Sequence, residues 1–220
     1  MRSLKARLEE LFEQLFAHYG AQNWWPADSP FEVMLGAVLT QNTAWTNVEK
    51  AIHNLKNLSE LNPQALLAMR RESLAQAIRP SGYYNLKAER LQNLCGLLLD
   101  NPALHRLDDS QLRERLLGVS GIGPETADDI LLYAFHRPVF VIDAYTRRLL
   151  GRIGWLDGSM SYEALRQTIE QALIGEAAYY SEFHALIVMH AKSVCCKQPR
   201  CSVCHLSGLC IYPGEGDHWS

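Results

Sequence analysis

The sequence predicts an all-α protein. Apolar residues recur at helical spacing through most of the 220 residues, and no segment shows the regular apolar–polar alternation of a half-buried strand. Breakers separate the periodic runs, for example at Asn62–Pro63 and at Pro80–Ser81–Gly82. Hydrophobic residues make up 48% of the chain and charged residues 20%, so the chain has enough apolar side chains for a packed core and is too apolar for a disordered protein.

The predicted helices follow one another with short connections. The first 19 residues form one amphipathic helix that Gly20 ends, and residues 23–30, NWWPADSP, form a loop. Further helices are predicted over residues 31–41, 45–58, 63–78, 86–100, 109–117 and 124–135, the last opened by Pro124. A short apolar stretch at 139–142 leads to a helix from Asp143, and two more helices are predicted at 161–173 and 176–192.

The overall charge gives a mild argument against a nucleic-acid partner, since the formal net charge is −3. The argument is weak because phosphate binding needs a local positive field rather than a positive chain. Basic residues do bunch, at Arg147, Arg148 and Arg152 and again at Lys192, Lys197 and Arg200. No apolar run reaches the roughly 20 residues of a membrane span, and the N-terminus has no signal-peptide pattern, so we expect a cytoplasmic protein.

Residues 116–135, LLGVSGIGPETADDILLYAF, are the most informative segment. They predict a helix, a tight turn at Gly121-Ile122-Gly123 and a second helix from Pro124. Glycines allow positive φ and leave backbone N–H groups uncovered, and with the following helix start these groups form a site for an anionic oxygen. We expect Ile122 to be buried between the two helices. The glycine pair alone is also typical of an ordinary helix–turn–helix corner.

Asp143 follows Gly123 by twenty residues, directly after the apolar stretch. The segments VSGIGPETAD and VFVIDAYTRR together resemble the helix-hairpin-helix DNA glycosylase superfamily, and in particular its endonuclease III branch. The resemblance implies that Asp143 is the catalytic carboxylate, with an accessible side chain beside the hairpin. A fixed anion stabilises the oxocarbenium-like species of glycosidic cleavage and can orient a water. The alternative is that Asp143 only caps its helix.

One residue of the hairpin departs from the bifunctional members of this family. Those proteins carry a lysine two positions after the glycine turn, whose amine forms a Schiff base with the sugar. Here the position is Glu125, and a carboxylate cannot form an imine. The resemblance therefore implies a monofunctional glycosylase that leaves an intact abasic site, although Lys192 remains a possible substitute nucleophile. Glu125 and Thr126 are counted with the turn among the DNA-contacting residues, and Glu125 also suits a helix start.

A base pocket is expected from residues 23–45, NWWPADSPFEVMLGAVLTQNTAW. This segment resembles the endonuclease III-type 3-methyladenine DNA glycosylases, with paired tryptophans before a helix and an aromatic residue after TQNT. The resemblance implies that Trp25 and Trp45 sandwich an alkylated purine, with Trp24 in the same pocket. A cationic base stacks favourably on electron-rich indoles. The alternative is that these tryptophans are ordinary core residues.

Two residues are expected to enter the DNA duplex. Gln41, in LTQNTAW, matches the family glutamine that fills the gap left by the flipped nucleotide. Residues 78–91, IRPSGYYNLKAERL, match the family's intercalating loop, which implies that Tyr83 is the wedge between bases and that Tyr84 and Asn85 form the turn. A wedge partly offsets the cost of unstacking the duplex.

The cysteine-rich tail predicts a metal site. Cys195, Cys201, Cys204 and Cys210 follow the spacing C-x5-C-x2-C-x5-C, which suits either a 4Fe–4S cluster or a tetrahedral zinc. The resemblance implies the cluster, although the family's first gap is six residues, and Cys196 is a rival first ligand. Lys197 and Arg200 match the loop that carries basic residues to DNA. Cys95 is expected to be an inert core residue, and ligation by His205 is not expected.

The resemblance further implies two helical lobes with a DNA cleft between them. One is a six-helix lobe over residues 27–138 that carries the hairpin. The other joins residues 1–26 to 139–220 and carries the cluster loop at about 195–210. We expect a monomer that acts on double-stranded DNA with a damaged base. The alternatives are a glycosylase for oxidised pyrimidines or mispaired bases, and a non-catalytic DNA-binding module.

Overall fold

The computed structural model describes residues 2–157 and 159–212; the last eight residues of the second predicted lobe lie outside this range. The all-α class is confirmed, because helices and no strand occur in the described part of the chain. None of the described helices is both long and apolar enough to cross a bilayer. The Cα positions group the chain into two compact units, Met1–Trp24 with Pro138–Ser220, and Trp25–Arg137.

The described residues form eleven α-helices. In chain order these are α1 Leu4–Tyr19, α2 Pro30–Leu39, α3 Trp45–Leu58, α4 Pro63–Ala68, α5 Arg71–Ala77, α6 Tyr84–Asp100, α7 Asp109–Leu117, α8 Pro124–Asp129, α9 Ala144–Ile153, α10 Tyr162–Ala172 and α11 Ala177–Ser193. Helix α8 continues as one π-helical turn over Ile130–Ala134, and short 3₁₀ turns occupy Arg79–Ser81, Leu104–Arg106 and Cys201–Val203.

Local sequence explains where most of these helices begin. Prolines stand at the first position of α2, α4 and α8, where the missing N–H costs no helical hydrogen bond. Side-chain oxygens accept from backbone N–H groups at the starts of α1, α2, α4, α7, α9 and α10; the capping residues are Ser3, Ser29, Asn62, Asp108, Asp143 and Ser161. Helix starts were therefore well predicted.

The predicted helix over 63–78 is wrong, because the chain breaks it at Met69 and Arg70. Both residues have extended ψ angles, 136° and 134°, between α4 and α5. The Met69 carbonyl, freed by the break, accepts a hydrogen bond from Gln92 Nε2 of α6 at 3.0 Å. The break lets α4 and α5 each pack on α6, so tertiary packing overrides a continuous helical pattern. Residues 25–137 consequently hold seven α-helices instead of the six expected.

Each unit has its own core. In the unit Trp25–Arg137, α2 is buried from Glu32 to Leu39 and packs against α3, α6 and the π-helical turn. In the other unit, α11 is packed by α1 and α9. The Phe183 ring makes edge-to-face contacts with Phe12 and Phe140, at centroid distances of 5.5 and 5.6 Å. These cores hold the helix ends that carry the candidate site residues.

Candidate functional site

Asp143 is the N-cap residue of α9 in the structure. Its Oδ1 accepts a hydrogen bond from the Thr146 backbone N–H at 2.7 Å, and its Oδ2 lies 3.6 Å from Nε2 of His184 on α11. The Asp143 side chain keeps 13% of its exposure, so it is less accessible than the sequence predicted. Capping fixes one carboxylate oxygen and leaves the other facing His184.

The surroundings of Asp143 favour its ionised form. Burial by itself would raise the pKa of this carboxyl, but the contact and charge of His184 and the hydrogen bonds from Thr146 outweigh burial and hold the pKa below its usual value. Asp143 is therefore a carboxylate at neutral pH. A fixed anion of this kind can stabilise a neighbouring positive charge or orient a water.

Trp24 lies beside a cation of its own unit. The Lys192 Nζ sits 5.3 Å from the centroid of the Trp24 ring and 5.8 Å from that of Tyr145. Burial lowers the pKa of Lys192, while the charge of Asp143 raises it and offsets part of the shift. Trp24 belongs to the first compact unit, and Trp25 begins the second.

Trp25 and Trp45 contact each other directly. Their ring centroids are 5.3 Å apart and their planes are perpendicular, at 90°. Trp25 also meets Tyr133 of the π-helical turn at 5.0 Å and covers the backbone of Gly36. Perpendicular rings in contact leave no parallel gap between them, and the sandwich of a base by Trp25 and Trp45 stays a prediction. A stacked base would require one indole to rotate.

The glycine turn between α7 and α8 has the predicted form at two of its three residues. Gly121 has a φ of +93°, and a Cβ there would overlap the Arg90 side chain. Ile122 is buried, as expected, and its N–H donates to the Val119 carbonyl at 3.0 Å. Gly123 differs, because it is the extended N-cap of α8 and a Cβ there would meet nothing within 4 Å. Its exposed backbone leaves room for a ligand to approach.

The side chains around this turn are linked to Gln41. Gln41 Nε2 donates to the Gly121 carbonyl at 3.1 Å and to the Thr126 hydroxyl at 2.9 Å, and its Oε1 accepts from Arg90. Thr126 is only 5% exposed, so its side chain faces the protein rather than solvent. Glu125 stands exposed in the first turn of α8.

Tyr83 is the exposed tip of the loop before α6. It has left-handed angles, φ 45° and ψ 32°, and 72% of the residue is exposed. Tyr84 and Asn85 already belong to α6. Lys87 holds the base of the loop, because its ammonium donates a hydrogen bond to the Ser81 carbonyl at 2.8 Å. This geometry is compatible with the predicted wedge.

Four of the tail cysteines surround one small cavity, and they are the four that the sequence predicted: Cys195, Cys201, Cys204 and Cys210. Cys196 lies outside it, with its Sγ donating to the Gln198 carbonyl at 2.7 Å. Burial raises the pKa of the Cys204 and Cys210 thiols, and mutual repulsion among the four sulfurs raises it further. No three His, Cys, Asp or Glu side chains within the described residues converge closely enough for a single ion.

The basic cluster on α9 has a different use from the one its sequence suggested. Arg148 donates to the carbonyls of Cys195 and Ala191, at 2.8 and 2.9 Å. Arg152 donates to the Cys196 and Lys197 carbonyls and to the Cys195 sulfur at 3.3 Å. These guanidinium groups hold the cysteine loop and belong to half-buried residues, whereas Lys197 and Arg200 are exposed.

Sequence reasoning missed three residues that shape these sites: His184, Lys87 and Arg90. Each meets its partner through a contact at least 41 residues away along the chain, respectively to Asp143, Thr43 and Gln41. For His184 and Lys87 one signal was present, a polar residue at a buried helix position, where an interaction partner is expected.

Comparison with known proteins places this geometry in context. Residues 35–173 match the HhH-GPD superfamily base excision DNA repair proteins. A Methanocaldococcus jannaschii protein, named provisionally as a DNA repair glycosylase, is 42% identical over 208 residues, which cover 92% of this chain and 94% of that protein.

Two solved structures are similar over most of their length. One is H. pylori 3-methyladenine DNA glycosylase bound to 1,N6-ethenoadenine, 33% identical with a TM-score of 0.71, covering 86% of this chain and 95% of that one. The other is endonuclease III in a trapped covalent intermediate with DNA, 25% identical with a TM-score of 0.82, covering 96% of this chain and 97% of that one.

Proposed function

Because the chain belongs to the HhH-GPD superfamily of base excision DNA repair proteins, in its endonuclease III branch, we propose that it hydrolyses the N-glycosidic bond of an alkylated purine in double-stranded DNA. The family excises damaged bases from DNA by cleaving their glycosidic bonds. The lesion, the absence of strand cleavage and the cofactor are the specific parts of the proposal.

The observation that carries the proposal is the environment of Asp143. Its carboxylate is fixed by the Thr146 N–H, kept ionised by His184, and still partly accessible. A purine nucleotide methylated at N3 carries a positive charge and its base leaves neutral, so the reaction needs stabilisation of the sugar cation more than a strong acid. Asp143 would supply that stabilisation and orient the water that completes the hydrolysis.

Residues at the glycine turn support the binding of a DNA phosphate and a monofunctional reaction. The exposed backbone at Gly123 and the start of α8 can receive a phosphate oxygen. Glu125 stands where the lyase members have their Schiff-base lysine, and a carboxylate cannot attack the sugar to form an imine. We therefore expect an intact abasic site as the product.

The arrangement of three aromatic residues supports an alkylated purine as the substrate. Trp25, Trp45 and Tyr133 form one contact cluster over Gly36, and rotation of Trp45 away from Trp25 would open a face for a cationic base. The H. pylori neighbour is itself a 3-methyladenine glycosylase bound to a modified adenine.

One contact favours a second candidate. The Lys192 ammonium lies over the face of Trp24, and a positive charge there disfavours a cationic base on that indole. If Trp24 contributes to the pocket, an uncharged lesion such as an oxidised pyrimidine or a mispaired base fits better. The substrate test must therefore include both kinds of lesion.

The four cysteines around the tail cavity fit a 4Fe–4S cluster. All four line one cavity, which supports a single site that these cysteines share, and four thiolates are the ligands that a 4Fe–4S cluster takes. Cys195, Cys201, Cys204 and Cys210 would hold the cluster, with Arg152 donating to the Cys195 sulfur. We propose a structural role, in which the bound cluster compensates the four thiolates and shapes the loop that displays Lys197 and Arg200.

An excision panel tests the proposal. Purified protein is incubated with methylated DNA, with a duplex containing thymine glycol and with a mismatched duplex, and released bases are measured. We expect release of 3-methyladenine, strand cleavage only after hot alkali, and no covalent adduct with borohydride. Asp143→Asn should lower the rate about 100-fold or more, the loss typical of removing one electrostatic stabiliser.

The outcomes separate the alternatives. Release of thymine glycol or a mismatched base without 3-methyladenine supports the second candidate. Trapping with borohydride contradicts the monofunctional reaction, and Lys192→Gln then tests whether Lys192 is the nucleophile. Binding to abasic DNA with no release from any duplex, by wild type and Asp143→Asn alike, indicates a non-catalytic binding module.

A further inference from the structure

We propose that Lys87 and Arg90, one turn apart near the start of α6, are positioning residues that set the spacing of three segments that would contact DNA. The segments are the loop with Gln41, the loop with Tyr83 and the turn at Gly121–Gly123. The inference rests on the proposed function, because it assumes that these segments bind a damaged duplex together. All of the residues involved lie in the unit Trp25–Arg137.

Lys87 joins the first two segments. Its ammonium donates to the Leu39 carbonyl at 2.8 Å and to the Thr43 hydroxyl at 2.7 Å, on either side of Gln41. Its third hydrogen bond, at 2.8 Å, goes to the carbonyl of Ser81, two residues before Tyr83. The Thr43 hydroxyl also donates to the Ser81 carbonyl, so both loops share one set of donors. One ammonium thereby fixes the bases of both loops.

The burial of Lys87 is difficult to explain by stability alone. The residue is 1% exposed, its bonded partners are uncharged oxygens, and no carboxylate compensates it among these contacts. Burial and the positive charge of Arg90 lower the pKa of Lys87 to about 8, so at neutral pH the protein keeps a disfavoured buried charge. Proteins commonly accept a cost in stability at positions that serve function.

Arg90 joins the Gln41 loop to the glycine turn. Its guanidinium donates to Oε1 of Gln41, whose amide donates in turn to the Gly121 carbonyl at 3.1 Å. The Arg90 stem lies against the face of Gly121, where a Cβ would overlap it. Because Lys87 and Arg90 are three residues apart, they lie on the same face of α6. The helix therefore presents two cations that fix the three segments as one assembly.

Double-mutant cycles test this arrangement. Lys87→Met and Arg90→Met are each combined with Tyr83→Ala and with Gln41→Ala, and Lys50→Met is the control that removes a charge from an exposed site. Affinity is measured for a duplex with a tetrahydrofuran abasic analogue and for the same duplex undamaged. Thermal unfolding of every variant is followed by circular dichroism.

We expect Lys87→Met and Arg90→Met each to weaken binding to the abasic duplex about tenfold, and to change binding to undamaged DNA no more than Lys50→Met does. In the Tyr83→Ala background the effect of Lys87→Met should shrink to about threefold, because one of the two loops that Lys87 positions no longer contributes, and it should fall below about twofold when Gln41→Ala is added. The effect of Arg90→Met should fall in the same way in the Gln41→Ala background. A residue that only stabilises the fold would show additive effects.

Results that contradict the positioning role differ from those that contradict the proposed function. Additive effects, or an equal loss on both duplexes, overturn the positioning role and leave a general contribution of fold or charge. If Lys87→Met does not fold, Thr43→Val removes one of its three acceptors and enters the same cycle with Tyr83→Ala. A wild-type protein with no preference for the abasic duplex would instead contradict the proposed function itself.

Discussion

Asp143 combines two roles that its position in the sequence does not separate, helix cap and ionised carboxylate. Any aspartate at this position could cap α9, since the cap needs only one oxygen for the Thr146 N–H. His184 distinguishes Asp143 from an ordinary cap, because it faces the second oxygen at 3.6 Å from within α11. The ionisation of Asp143 therefore depends on a residue 41 positions away.

The acid limit of activity should depend on His184. The pKa of Asp143 is lowered, so the carboxylate persists as pH falls through the ordinary aspartate range near about 4. In His184→Leu two of the lowering contributions are lost while burial remains, so the pKa of Asp143 rises. We expect the acid limb of single-turnover excision to move to higher pH, with rates at pH 7 and above least affected.

The measurement is a pH–rate profile of wild type and His184→Leu, with His53→Leu as the matched control at an exposed histidine. Stability follows the same sign, because a lowered aspartate pKa contributes its full stabilisation above the ordinary aspartate pKa and loses it as pH falls through the lowered one. An unshifted acid limb in His184→Leu would show that His184 does not govern the ionisation of Asp143.

Residues could be predicted from sequence where a motif defines them and not where a distant contact does. Asp143, Ile122 and the four cysteines of the tail cavity lie in short segments whose spacing indicates their place. Lys87 could not be assigned, because its acceptors belong to two other segments that meet only in the folded unit. The perpendicular contact of Trp25 with Trp45 was not predictable either, since ring angles depend on packing over Gly36.

Helices were predicted more accurately at their starts than through their middles. Proline and polar caps act locally, so Pro63 and Pro124 mark their helices correctly, whereas Pro30, predicted to lie in the preceding loop, is the first residue of α2. The break at Met69 depends on Gln92 of α6, and the π-helical turn at Ile130–Ala134 depends on packing against α2. A hydrophobic pattern of helical period contains neither signal.

The two glycines of the turn should differ in how much stability alanine costs. Gly121→Ala forces a side chain onto positive φ and into Arg90, and we expect a loss of about 2 kcal/mol in the free energy of unfolding, or several degrees in Tm. Gly123→Ala enters open space on extended backbone, so we expect a loss of less than about 1 kcal/mol.

Measuring DNA binding then distinguishes a loss of fold stability from the loss of a phosphate contact. If a phosphate approaches the backbone at Gly123, Gly123→Ala should weaken duplex binding about tenfold at nearly wild-type Tm. Thermal melts and fluorescence anisotropy on the same samples provide both numbers. Full affinity in Gly123→Ala would mean that the phosphate binds elsewhere on the hairpin.

At the scale of the whole molecule, the arrangement of the tail cysteines predicts whether the protein contains iron and which cysteines bind it. Cys195 shares the cavity with three other cysteines, whereas Cys196 turns its sulfur to the Gln198 carbonyl. Cys195→Ser should therefore abolish the visible absorption of a bound cluster and lower the iron content, while Cys196→Ser keeps both. Loss of iron in Cys196→Ser alone would make Cys196 the first ligand, and zinc in place of iron in the wild type would exclude the cluster.

The charge balance of the chain determines how it can hold DNA. The formal net charge is −3, so the long-range field does not attract a polyanion, and local contacts must supply the electrostatic part of binding. Arg148 and Arg152 are used inside the cysteine loop. Lys197 and Arg200 remain exposed and are the basic residues of that loop able to reach a phosphate.

Salt dependence measures those contacts one at a time. Each phosphate contact releases counterions, so the slope of log affinity against log salt should become shallower by about 0.9 in Lys197→Met and again in Arg200→Met. Both variants should weaken damaged and undamaged duplexes equally, because phosphate contacts carry no information about the base. Lys50→Met, which removes the same charge from an exposed site on α3, should leave the slope unchanged. If Lys197→Met and Arg200→Met both keep the wild-type slope, the cysteine loop does not contact phosphates, and the phosphate contacts lie elsewhere on the protein.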